Sequence, residues 1–142
     1  MIVLLGKGSA MHQLFEDMSN AGELRCRSVG LQSAGFTVAH FACENGELDA
    51  EFDAPPADRA ACDADGRPQR RFRRLVWRTA MGAETVEVEV EHLQLRVRTV
   101  SASGEIEYIG EPTCFYALPA DATDRISNLI QASAAQVGFA LV

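Results

Sequence analysis

The sequence has no apolar run near the ~20 residues that a membrane-spanning helix needs. Its longest such runs are Met1–Leu5 and a patch close to the C-terminus. Met1–Gly6 carries no basic flank and is too short for a signal peptide, so a cytoplasmic location is expected. Positive charge is scarce: thirteen basic against twenty acidic residues leave a net charge of −7. That argues against general binding to nucleic acid or to an anionic membrane, since both need positive potential. Cys26, Cys43, Cys62 and Cys114 form no C-x-x-C and no Cys/His metal spacing, so no structural metal is expected. Reduced thiols suit a cytoplasmic protein. Phosphate-loop and dinucleotide fingerprints are missing, and Gly6-Lys7-Gly8-Ser9 reads as a tight strand-to-helix turn, so no cofactor is expected. No internal repeat and no low-complexity segment occurs.

What is present suits one α+β domain spanning residues 1–142. Of the 142 residues 47% are hydrophobic, enough for a core that needs no disulfide or metal. Ile2–Leu5 reads as a short strand. Ser9 then caps a helix whose apolar stripe is Met11, Leu14, Phe15 and Met18, and Gly22 ends it. Leu24–Leu31 and Phe36–Glu44 read as strands around a turn at Ser33-Ala34. Asn45-Gly46 is a strong hairpin signal. A two-residue loop there sets Phe41 opposite Ala50 and Ala39 opposite Phe52 on one face, and His40 opposite Glu51 on the other. Phe41 and Phe52 are therefore expected inside and His40 and Glu51 outside.

Acidic residues crowd positions 44–65 and six arginines follow between Arg67 and Arg78. Residues 54–70, with Pro55, Pro56, Gly66 and Pro68, read as a polar loop. Phe72–Thr79 and Glu84–Val90 form the next hairpin around Met81-Gly82, which sets Trp77 opposite Val86 and Arg74 opposite Glu89. Val86, Val88 and Val90 are apolar at even positions, whereas Leu93, Leu95 and Val97 are apolar at odd ones. A β-bulge at Glu91-His92 would absorb that phase change and keep both halves facing the core. A turn at Ser101–Gly104 brings Val97 opposite Tyr108 and Arg98 opposite Glu107, and Thr113–Leu118 is the last meander strand. After Pro119, Asp121 caps a helix with the stripe Ala122, Ile126, Leu129, Ile130, Ser133 and Val137. Gly138 ends it, and residues 139–142 form a short strand.

The expected fold is a curved antiparallel β-meander of about seven strands, packed against an N-terminal and a C-terminal helix. That element order resembles the helix-grip architecture, whose domains hold hydrophobic ligands between the sheet and the C-terminal helix; the resemblance is architectural only. It implies a concave site containing Trp77, Leu95 and Tyr108 within reach of His92, and these four are the candidate ligand-binding residues. Cys26, Cys43 and Cys114 read as core, and Cys62 as a free thiol in a loop. Val29, Leu31, Phe36 and Val38 share an outer face in this register, an apolar patch that would support a homodimer. The expected function is a non-enzymatic binding domain for a small apolar ligand or a protein partner. The alternative is a small enzyme using His92 or His40 with a neighbouring carboxylate as acid and base.

Overall fold

The computed structural model describes residues 23–31, 35–53, 62–92, 94–109, 116–117 and 120–142. The expected N-terminal strand and helix, the Gly6–Ser9 turn, Leu93 and Cys114 lie outside these residues. The strands are β1 (Arg25–Leu31), β2 (Phe36–Cys43), β3 (Gly46–Asp53), β4 (Gln69–Arg70), β5 (Phe72–Met81), β6 (Glu84–Glu91), β7 (Gln94–Val100), β8 (Ile106–Ile109) and β9 (Tyr116–Ala117). The helix α1 (Ala120–Gln136) and β10 (Ala140–Leu141) follow. The main sheet runs β1-β2-β3-β5-β6-β7-β8, with β9 also on β7 and every pair antiparallel. The fold is α+β, an antiparallel meander with one described helix.

One face of this sheet is the core. Ala39, Phe41, Leu48, Ala50, Phe52, Leu75, Trp77, Val88, Val90, Leu95 and Val97 cluster with Ile126, Leu129, Ile130 and Ala134 of α1. From Ile126 onward the helix stripe is therefore as its spacing indicates, with Ser133 buried on the same side and bonded to the Ile130 carbonyl at 2.8 Å. Gly138, at φ +80°, stops the helix. Its N–H donates to Ala135 at 3.1 Å and that of Phe139 to Ala134 at 2.9 Å, the pairing of a Schellman cap. The chain then turns back so that β10 pairs in parallel with β4, and Phe139 meets the Phe52 ring edge-on at 5.5 Å.

Two expected registers move by two residues, which preserves faces. In β2–β3 the turn is Glu44-Asn45, so Phe41 stands opposite Leu48 and Thr37 opposite Phe52. The glycine belongs to β3 instead, where it is needed for close approach to β5. In β5–β6 the turn is Gly82-Ala83, and Trp77 stands opposite Val88. Gly82 takes the first turn position at φ +65°, where both hairpin turn types want positive φ. Phe41 and Phe52 are inside, as parity requires.

Three expectations fail, each by one residue. There is no bulge at Glu91-His92. Glu91 pairs with Gln94 and the chain reverses through His92, which adopts φ +51°. In a two-residue hairpin, even positions on one strand stand opposite odd positions on the next, so the phase change is the reversal itself. The β7–β8 loop spans Ser101–Glu105, closed by Ser101 N–H to the Glu105 carbonyl at 2.9 Å. The extra residue sets Tyr108 opposite Arg98, on the face away from Trp77. The third is a bulge between Cys26 and Ser28. Beyond it Leu31 pairs with Thr37, and Val29 lies opposite Ala39 on the core side, while Phe36 and Val38 face outward. Val29 of the expected dimer patch is thus on the face opposite to Phe36 and Val38. Cys26, expected in the core, is exposed on this edge strand, whereas Cys43 is buried and Cys62 exposed as expected.

Candidate functional site

The outer face of the sheet carries two rows of alternating charge that cross the strands. Both grow from parity: Leu48 and Ala50, Leu75 and Trp77, Val88 and Val90, and Leu95 and Val97 point to the core, so the acidic and basic residues flanking them meet on the other side. In the first row His40 Nδ1 hydrogen-bonds to Asp49 Oδ1, whose other oxygen accepts from Arg78 Nη1 at 2.8 Å. Arg78 Nε donates to Glu87 at 3.2 Å, and Glu87 accepts from Arg98 Nε at 2.8 Å. In the second row Arg74 joins Glu51 at 2.7 Å to Glu89 at 3.1 Å, and Arg96 Nη2 donates to Glu89 at 2.7 Å. The Arg96 guanidinium lies 5.1 Å from the centre of the Tyr108 ring.

Four carboxylates meet four guanidiniums in these rows, so they balance when His40 is neutral. Burial alone would lower the pKa of Arg74, Arg78 and Arg98. Hydrogen bonds and the charges of Glu51 and Glu89 (for Arg74), Asp49 and Glu87 (for Arg78), and Glu87 with Tyr108 (for Arg98) outweigh it and raise all three. Inside the rows each ion meets one of opposite charge, with the buried Nε of Arg74 left without a hydrogen-bond partner. His40 is the end of the first row, with a part-exposed imidazole.

The sequence-derived site residues do not come together. Trp77 and Leu95 are fully buried in the core. His92 sits at a hairpin tip with its side chain 85% exposed and Glu91 Oε1 3.9 Å away. Tyr108 is half-buried on the opposite face, against Arg96. His40 does have a carboxylate neighbour, but it is Asp49 and not Glu51, and its partner on β1 is Ser28 and not Arg27. An open depression of about 300 Å³ is lined by Glu84, Thr99, Ser101, Glu105, Ile106 and Glu107 at one end of the sheet. Among the described residues no His/Cys/Asp/Glu group has the arrangement of a metal site. No described helix is long and apolar enough to cross a membrane.

The charged rows were partly legible as opposed acidic and basic blocks. Ser28 next to His40 was not, because it depends on the bulge at Arg27. No protein-family model, curated protein or solved structure matches this chain.

Proposed function

We propose that this chain is a binding domain that takes an extended segment of a protein partner along the β1 edge. The observation that carries this reading is β1 itself. It is a seven-residue strand at the end of the sheet order, paired only with β2 among the described residues, and Arg25–Gly30 are all exposed. Val29 is 49% exposed although it points to the same side as the core. An edge of this kind offers a row of backbone donors and acceptors to an incoming strand, and alternate side chains supply selectivity.

The rest of the sheet supports the same choice of surface. Inner-face residues such as Trp77 and Leu95 are consumed by packing, which gives a small apolar ligand less room beside them. The outer face is occupied by paired ions, and a docking partner would have to break those pairs.

The test is selection of linear peptides from a random displayed library against the whole chain, followed by titration against Val29→Pro and Gly30→Pro. Successive N–H groups of a strand point to opposite sides, so one substitution removes an outward donor and the other a donor toward β2. Peptides with Kd below about 100 µM that lose at least ~10-fold affinity for one proline variant support the reading. Recovery of no such peptide, or equal binding to both variants, overturns it.

A further inference from the structure

The bulge in β1 does more than change register. It steps the strand so that Ser28, not Arg27, stands opposite His40, and His40 in turn stands opposite Asp49. A serine, a histidine and an aspartate therefore occupy one row across three adjacent strands on one face. Directly opposite residues have Cβ atoms about 4.5–5.5 Å apart, so Ser28 and His40 are direct cross-strand neighbours. Bulges are over-represented beside active sites because they re-aim one side chain in this way.

The chemistry of the row has a direction. Asp49 takes His40 Nδ1 on one oxygen and Arg78 on the other. With Nδ1 turned to Asp49, Nε2 is the ring nitrogen left to act as the base. Ser28 lies on an exposed strand and His40 is part-exposed, so both can be reached from solvent. The charged side chains of β1 are Arg25 and Arg27, both exposed and both of the sign that favours a developing oxyanion.

We propose that Ser28, His40 and Asp49 carry out acyl transfer from activated esters to water. Ser28 Oγ adds to the ester carbonyl carbon while its proton passes to His40 Nε2. The bond to the leaving alcohol oxygen breaks and His40 returns the proton to that oxygen. Water then adds to the acyl-serine and gives a proton to Nε2; the carboxylic acid departs and Ser28 Oγ is reprotonated. Ser28 is the nucleophile, His40 the general base and Asp49 the positioning residue. The open face imposes no size limit on the acyl group, so the substrate class is set by leaving-group quality. This activity is independent of strand addition at the β1 edge.

The experiment uses the whole chain with p-nitrophenyl acetate and, separately, a fluorophosphonate probe, with peptide mapping by mass spectrometry to separate Ser28 from the exposed thiols Cys26 and Cys62. The expected result is an acetyl or phosphonyl adduct on Ser28 and steady ester hydrolysis. Ser28→Ala abolishes the adduct. His40→Gln lowers the hydrolysis rate by about 10²-fold, the lower end of what a positioned base contributes. Asp49→Asn lowers kcat with KM held, and Ser28→Cys restores acylation at the same position. Matching urea midpoints of Ser28→Ala and the parent establish that the loss is not unfolding. The absence of any adduct on Ser28, or hydrolysis unchanged in Ser28→Ala or His40→Gln, overturns the proposal.

Discussion

Gly46 and Trp77 are in such close apposition that a Cβ on Gly46 would lie 3.1 Å from Trp77 Nε1 and 2.2 Å from the Arg78 carbonyl oxygen. The second distance is to backbone and cannot be relieved by a side-chain rotation. Gly46 is therefore a packing glycine that lets the start of β3 rest on β5. Gly46→Ala is expected to destabilise by about 3 kcal/mol, the upper range for a single substitution, by forcing these strands apart. Urea unfolding followed by Trp77 fluorescence measures it; a change under ~0.5 kcal/mol, the usual size for an inert surface site, would be inconsistent.

Glu89 is 7% exposed and receives both Arg74 and Arg96. Truncation leaves two guanidiniums facing a hole. Loss of one partner of a buried ion pair costs 3–5 kcal/mol, but the Arg74 side chain is 38% exposed, so water takes over part of the role. Glu89→Ala is expected to cost about 2 kcal/mol by this reasoning. Glu107→Ala, on an exposed residue, serves as the control, and thermal melts of the two variants should differ clearly.

His92 adopts φ +51° with its side chain in solvent. Left-handed backbone costs a non-glycine residue roughly 1–2 kcal/mol, while glycine gives back part of that through a freer unfolded chain. His92→Gly should stabilise the protein by about 0.5 kcal/mol, and His92→Val should destabilise it by about 1 kcal/mol. Denaturant midpoints moving in the same direction for both substitutions would contradict the turn assignment.

Burial is the largest influence on the Cys43 thiol; it raises the pKa above the ordinary 9.0, with Arg25 opposing and Glu47 assisting. The folded state thus prefers the neutral thiol. The resulting stability is complete below the unfolded pKa and is lost as pH rises from 9.0 through the higher folded value. Stability should fall over this alkaline range by more in the parent than in Cys43→Ala. Iodoacetamide at pH 8 should modify Cys26 and Cys62 well before Cys43; comparable rates would oppose the burial assigned to it.

Alternation made the core of the sheet readable. Phe41, Leu48, Phe52, Leu75, Trp77 and Val88 fall on one side whichever two-residue register is chosen, because a shift of two preserves parity. The α1 stripe and its end at Gly138 were readable for the same reason, since helical spacing and a glycine stop are local signals. The candidate site was harder to see. His40 could be recognised as a histidine among carboxylates, but its actual neighbours depended on strand registers.

Single-residue events divide what the chain could say from what its folding decided. The sequence by itself determined the class of element, the inward set of apolar residues and the opposition of an acidic to a basic block. Those properties come from periodicity and composition, which no one-residue slip erases over a whole strand. Tertiary structure decided the bulge at Arg27, the turn at His92 and the five-residue loop before β8. Each adds or removes one position, and each therefore turns its strand over. That is why Tyr108 left the face of Trp77 and why Ser28 came to lie beside His40. The choice among such registers is made by side chains on neighbouring strands packing together, a cooperative energy that local sequence does not contain.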